Sequence, residues 1–150
     1  ALARTQPALR AVLVGRGTEA LAIPPALAGR VAPLGAREDI PALTAGFDIA
    51  CLPSRFGEGF PNVLGEAMAC GVPCVTTDVG DAAAIVDGAG IVVRPGDPSA
   101  LAEGLAGLAA LPETERRALG MSGRARVLAE FSLPAVAGRY AALWREVAGG

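Results

Sequence analysis

Glu58-Gly-Phe-Pro-Asn-Val-Leu-Gly-Glu66, continued by Ala67-Met-Ala-Cys-Gly-Val-Pro-Cys-Val75, decides the reading of this chain. The first stretch reads as a glycine-containing loop that runs into a helix start. The second reads as a short helix, a Gly-x-Pro break and then a buried strand. An apolar strand, Asp48-Ile-Ala-Cys-Leu-Pro53, precedes the loop. A strand, loop and helix in that order present free backbone N–H groups at the helix N-terminus, which attracts phosphate. Glu58 and Glu66 bracket that place. Carboxylates repel phosphate, so these two are expected to face hydroxyl groups, and hydroxyls on both sides of a phosphate suggest a nucleotide-sugar.

The bulk properties narrow the class. The 150 residues suffice for one domain with its own core, and 52% of them are hydrophobic while only 4% are aromatic. Such an Ala-, Gly-, Leu- and Val-rich chain suits closely packed helices on a parallel sheet. The net charge of -2 leaves no electrostatic footprint for nucleic acid. Arginines supply the positive charge, and the group Arg116, Arg117, Arg124 and Arg126 reads as the solvated face of a helix. The chain has no His, which excludes His-dependent triads, His general bases and His metal ligands. Cys51, Cys70 and Cys74 are an odd set without zinc or Cys-x-x-Cys spacing, so they read as free, small, buried thiols. Asp78 and Asp81 could suggest a metal site, but Asp81 reads as a helix N-cap. No cofactor and no metal is expected. Without an apolar run of about 18 residues or a signal peptide, the expected setting is cytoplasmic.

Short apolar runs alternate with Ala/Leu-rich stretches, the pattern of strand–helix units. Strands are expected at Ala11–Val14, Arg30–Pro33, Ile49–Leu52, Cys74–Thr77 and Gly90–Val93, covered by helices on both faces. Helices are expected at Thr18–Ala28, Asp39–Ala45, Asn62–Cys70, Asp81–Val86, Pro98–Leu108, Glu113–Glu130 and Leu133–Glu146. Asp97 before Pro98, and Ser132, read as N-caps, and Gly71 as a helix-ending glycine. Residues 1–6 read as the tail of a helix broken at Pro7. Gly149-Gly150 reads as a frayed end. No strand precedes that first helix, so the chain is expected to be cut from a longer protein.

The run Gly57–Val75 closely resembles the donor-binding half of retaining glycosyltransferases of GT-B fold, the glycosyl transferases group 1 family. Its hallmark of Glu, seven residues and Glu is met by Glu58 and Glu66. That spacing alone is common; the context Glu-Gly-Phe-Pro-Asn-x-x-x-Glu-Ala-Met-Ala-x-Gly-x-Pro is specific. Gly15-Arg-Gly17 after a strand is similar to the family's first turn, although alone it is only a strand-to-helix turn. Asp48–Ser54 and Gly90–Val93 with Gly96-Asp-Pro98 also resemble family elements. The likeness covers residues 10–146.

The resemblance implies an α/β fold: a doubly wound parallel sheet, the Rossmann-like half of a GT-B fold, here expected to lack its first strand. It implies a single nucleotide-sugar (donor) binding domain over 1–150, part of a two-domain enzyme. The parent would move a sugar from a UDP-, GDP- or ADP-sugar to an acceptor hydroxyl with retention. It implies that Glu58 lies near the donor sugar and reacting centre, and that Glu66 accepts hydrogen bonds from the ribose. The segment Gly59, Phe60, Asn62, Val63 and Leu64 would contact sugar hydroxyls and diphosphate. Gly15, Leu34 and Gly35 would lie on the nucleotide side, the last two near the base.

The chain also departs from the family. The family's upstream Arg/Lys loop to the diphosphate is absent, and Arg16 and Arg55 do not replace it by position. The acceptor-binding N-terminal domain is absent too. The isolated chain is therefore expected to be inactive. The missing strand is expected to make its neighbours pair directly or to recruit another chain by self-association. The last helix is expected to pack Tyr140 and Trp144 while exposing part of an apolar face toward the missing domain. For the full-length protein, a peripheral place at the inner membrane face stays open. Two other classes compete. A nucleotide-sugar 2-epimerase shares the fold but usually carries His residues in this region. A non-enzymatic Rossmann-like regulatory domain would need an acidic cluster and a Lys that this chain lacks.

Overall fold

A computed structural model describes residues 6–149. The chain forms two compact units, one ending at Leu43 and one starting at Thr44. Residues 1–5 and Gly150 lie outside the description, and with them most of the expected N-terminal helix and half of the expected Gly149-Gly150 end.

In the first unit, β1 (Ala11–Val14) and β2 (Val31–Gly35) pair in parallel. The register runs from Ala11 opposite Val31 to Leu13 opposite Pro33, then slips so that Val14 faces Gly35. The helix expected over Thr18–Ala28 does not form. Two single 3-10 turns, Thr18–Ala20 and Pro25–Leu27, take its place. The cause is the Pro24-Pro25 pair: neither residue has an N–H to donate, and Pro25 forces Pro24 into an extended conformation, with ψ at 140°.

In the second unit, β3 (Ala50–Leu52), β4 (Cys74–Thr77) and β5 (Gly90–Val93) form a parallel sheet in that order. Among the described residues β1 and β2 form one sheet and β3, β4 and β5 another. The helices are α1 (Ile40–Ala45, across the unit boundary), α2 (Asn62–Ala69), α3 (Ala82–Val86), α4 (Pro98–Ala110), α5 (Glu113–Arg126) and α6 (Leu133–Gly149). The long helix expected to reach Glu130 instead gives way to a π-turn, Val127–Phe131.

The sheet is doubly wound in this unit because side chains alternate along β4. Cys74 joins Leu64, Met68, Ile85 and Val86 in one cluster with α2 and α3. Its neighbour Val75 points to the other face, where Gly104 lets α4 come close. Only β4 is buried at every position. Coverage of every strand on both faces is therefore corrected. Cys51 is the clearest case: it is exposed, because β3 alternates and only Ala50 and Leu52 turn toward the core. Cys70 is half-buried and Cys74 fully buried, and burial pushes the Cys74 thiol up to about 12.

Two boundaries follow their caps. The Asp97 carboxylate accepts from the amides of Ser99 and Ala100, and the Ser132 hydroxyl accepts from Ala135 N–H at 3.4 Å. Asp81 occupies the N-cap position of α3, but its side chain makes no cap bond. Gly71 ends α2 with φ of +76°.

The arginines of α5 correct another expectation. Arg124 donates to the Ala69 carbonyl at the end of α2. Arg126 donates to the Ile85 and Ala84 carbonyls at the end of α3, at 3.0 and 2.7 Å. Arg116 bonds to the Leu111 carbonyl and to Asp48. Arg116 and Arg126 are half-buried and satisfy open helix ends and loops, whereas Arg124, although it bonds a helix end, and Arg117, paired with Glu113, are exposed as expected. By contrast α6 buries no residue, and Tyr140 and Trp144, expected to pack, are 62% and 74% exposed.

Helix α5 crosses the end of α2 so closely that a Cβ on Gly120 would run into the Gly71 carbonyl. Gly120→Ala should lose about 1–3 kcal/mol in urea melts, since two backbones would have to separate. Gly138→Ala, on the open surface of α6, meets nothing and should gain up to about 1 kcal/mol. Equal effects of the two would rule out the close approach as the cause.

Candidate functional site

The loop between β3 and α2 carries the candidate residues of the second unit. Its exposed tip is Arg55-Phe56-Gly57, and Phe56 is 83% exposed. The loop returns to the fold at Glu58, which is half-buried, and enters α2 through Pro61. Pro61 holds an extended conformation with φ of -73°, from which the chain turns directly into the helix.

No side chain caps α2. The Leu64 amide donates to the Pro61 carbonyl at 3.0 Å. The amides of Asn62 and Val63 donate to no protein group among the described residues. Helix periodicity sorts the rest. Leu64, Ala67 and Met68 are buried, whereas Asn62, Val63 and Glu66 are exposed. Glu66 thus stands one turn beyond the free amides on the same open face.

The two glutamates differ in what holds them. Glu66 has no hydrogen bond or ion pair through its side chain among the described residues. Glu58 accepts at Oε1 from the Ser54 hydroxyl at 2.5 Å. The backbone at Glu58 and Gly59 is also pinned: the Asp81 amide donates to the Gly59 carbonyl at 2.9 Å. Gly80 lies against the same turn, where a Cβ would strike the carbonyl oxygens of Glu58 and Gly59. Phe60 meets Phe131 edge-on, with ring centroids 5.3 Å apart. A shallow apolar groove lies between Phe60, Phe131 and the α6 side chains Val136, Tyr140 and Leu143.

The remaining candidates form a separate group in the first unit. The Gly15 amide donates to the Gly35 carbonyl at 2.8 Å. The Thr18 hydroxyl donates to the Gly15 carbonyl and accepts from the Gly35 amide, both at 2.9 Å. Leu34 is 38% exposed beside this knot, while Gly35 is buried. Thr18 is an organising residue that the sequence does not single out. In the second unit the same holds for Ser54, Thr77 and Gly80. The only visible signal for Ser54 is its place four residues before Glu58 at the end of a strand. Among the described residues no group of three or more Cys, Asp or Glu could hold a metal ion.

Comparison with known proteins places the chain. Residues 1–110 match the sequence model described as glycosyl transferases group 1, and the chain belongs to that family. It is 35% identical over 111 residues to an MMP alpha-(1->4)-mannosyltransferase of Mycolicibacterium hassiacum, covering 73% of this chain but 27% of that protein. Among solved structures it resembles Anabaena Alr3699/HepE in complex with UDP-glucose, with TM-score 0.70 and 29% identity over 86% of this chain and 38% of the other. A glycosyltransferase from Rickettsia africae matches in fold, with TM-score 0.83 at 19% identity, over 97% of this chain and 42% of its own. The chain thus spans about a quarter of the length of the curated mannosyltransferase. Its architecture is the Rossmann-like half of a GT-B fold, as the resemblance implied. No helix among the described residues is long and apolar enough to cross a membrane.

The packing of Gly80 on the loop makes a direct test of the geometry. Gly80 has φ of +58° and no room for a Cβ, so Gly80→Ala should displace the Glu58-Gly59 turn and cost about 1–3 kcal/mol. Amide chemical shifts of residues 58 to 60 should move with it. Wild-type stability with unmoved shifts would contradict the close contact.

Proposed function

We propose that this chain is the donor-substrate domain of a glycosyltransferase. Its parent transfers a sugar from a nucleoside-diphosphate sugar to an acceptor hydroxyl, with retention and without a metal ion. The observation that carries the reading is the uncapped start of α2: two free amides, with an unpaired glutamate one turn further along the same face. Free N–H groups at a helix start suit a diphosphate, and a carboxylate without a partner suits hydroxyl donors. The UDP-glucose held by the similar Anabaena protein supports a donor of this class.

In this reading Asn62 and Val63 donate their amides to the diphosphate, with Phe60 completing the segment and Gly59 letting the loop approach. Leu64, its amide bonded to the Pro61 carbonyl and its side chain buried, anchors the helix start rather than touching the donor. Glu66 accepts from the ribose hydroxyls. Glu58 sits at the donor sugar. Gly15, Leu34 and Gly35 line the nucleotide side of the first unit. When the glycosidic bond breaks, negative charge grows on the leaving diphosphate. Fixed amides aimed at that charge stabilise it without reorganising. The acceptor domain belongs to the parent, and the open apolar face of α6 is the surface it would cover. The isolated chain then binds donor weakly and transfers nothing, and its uncovered strand edges let it self-associate. Three free thiols fit a cytoplasmic parent.

Calorimetric titration with UDP, GDP, ADP and their glucose or mannose derivatives tests the reading. One nucleotide class should bind, and Glu66→Ala should weaken it by about tenfold or more, the value of a hydrogen bond to a charged group. Absence of binding by both this chain and one extended upstream would end the proposal.

Asn62→Pro isolates the amide. Proline is favoured at the first helical position, and the residue before it is already extended, so the fold should survive. The variant should bind nucleoside diphosphate less tightly than Asn62→Ala. Equal affinities would remove the Asn62 amide from the diphosphate site.

A further inference from the structure

The Glu58 carboxylate is held by a side chain of the protein itself, whereas that of Glu66 is not. The Ser54 hydroxyl, just beyond β3, donates to its Oε1 at 2.5 Å, and both residues are half-buried. A hydroxyl–carboxylate bond of that length is of the strong, charge-assisted kind. Ser54 is itself held. Its carbonyl accepts from the Thr77 hydroxyl at 2.5 Å, and Thr77 is 4% exposed at the end of the central strand. Further along the loop, the Asp81 amide ties the Gly59 carbonyl. The loop is therefore fastened on both sides of its exposed tip, by the end of β4 and by the connection that follows it.

We propose that Ser54 is the positioning residue for Glu58. It takes one carboxylate oxygen and so fixes the side-chain rotamer, leaving Oε2 turned outward to accept from a sugar hydroxyl. A glutamate carries three rotatable bonds, and an unheld one samples several rotamers. Glu66 has no such partner and must be ordered by its ligand. Thr77 transmits the rigidity of the buried strand to Ser54. An ordinary turn-forming role would direct the serine hydroxyl to a backbone group nearby, whereas here it reaches a carboxylate four residues on. The consequence for ligands rests on the donor-site reading above; the consequence for the rotamer does not.

The test compares wild type with Ser54→Ala and Ser54→Thr. Three-bond Hα–Hβ couplings of Glu58, measured by NMR, report rotamer averaging. They should show a single rotamer in wild type and Ser54→Thr, and averaging in Ser54→Ala. Calorimetry then compares each nucleoside diphosphate (UDP, GDP, ADP) with its glucose or mannose derivative. Ser54→Ala should weaken the sugar-nucleotide by about tenfold and leave the bare diphosphate unchanged, with Ser54→Thr restoring affinity. A loop that is merely destabilised would weaken both ligands together, and that result overturns the proposal. So does a single Glu58 rotamer in Ser54→Ala. If averaging appears and Ser54→Thr reverses it, yet no nucleotide binds wild type, Ser54 holds Glu58 as proposed and the donor-site reading is the one that fails.

Discussion

Burial of β4 on both faces is the constraint from which the second unit is built. Cys74, Val75, Thr76 and Thr77 are all closed to solvent, so each end of the strand is placed by the core rather than by its loops. At the incoming end, Gly71 turns the chain and Gly120 lets α5 lie on that turn. At the outgoing end, Thr77, Gly80 and Asp81 reach the loop that carries Glu58. A parallel sheet gathers the C-terminal ends of its strands on one side, where loops can meet. Here the most buried strand supplies anchor points and its edge neighbour supplies the loop. The exposed tip at Phe56 can be free because the residues on either side are not.

The fold was legible wherever local chemistry and tertiary packing agree. β1, β4 and β5 begin and end as their apolar runs suggest, and Asp97 caps α4 as its sequence position implies. Disagreement arises for physical reasons. Thr18–Ala28 has a helical composition, but two adjacent prolines remove the donors a helix needs. The cluster of arginines on α5 looks like a solvated face by spacing alone. Two of its members, Arg124 and Arg126, bond the carbonyl ends of α2 and α3, some 40 to 55 residues away in sequence, which no local pattern contains. Cys51 is apolar in a run of apolar residues, but an edge strand with one covered face exposes every second side chain.

The candidate site divides in the same way. The glutamates, the helix start and the Gly-x-Pro break all lie within one short stretch, so the spacing of the chemistry is visible in the sequence. The groups that restrain it are not, because Thr77, at the end of β4, and Asp81, in the connection after it, bond to backbone carbonyls of the loop. Those contacts depend on main-chain geometry, which has no residue code. Ser54 is intermediate: its position four residues before Glu58 can be read, but the direction of its hydroxyl cannot.

The two glutamates therefore stand in different energetic positions although the sequence treats them as a pair. Glu58 has already given up rotamer freedom to Ser54, so a hydroxyl reaching its outer oxygen has little further ordering to oppose it. Glu66 is exposed and unheld, and ordering it must be offset by the contacts its ligand makes. A group at a reacting centre gains from being fixed in advance, because a small misplacement there costs rate steeply. A group that only retains a ligand can be ordered on arrival and still contribute. The asymmetry between a held Glu58 and a free Glu66 is the arrangement expected if the first meets the sugar being transferred and the second meets the nucleoside that leaves.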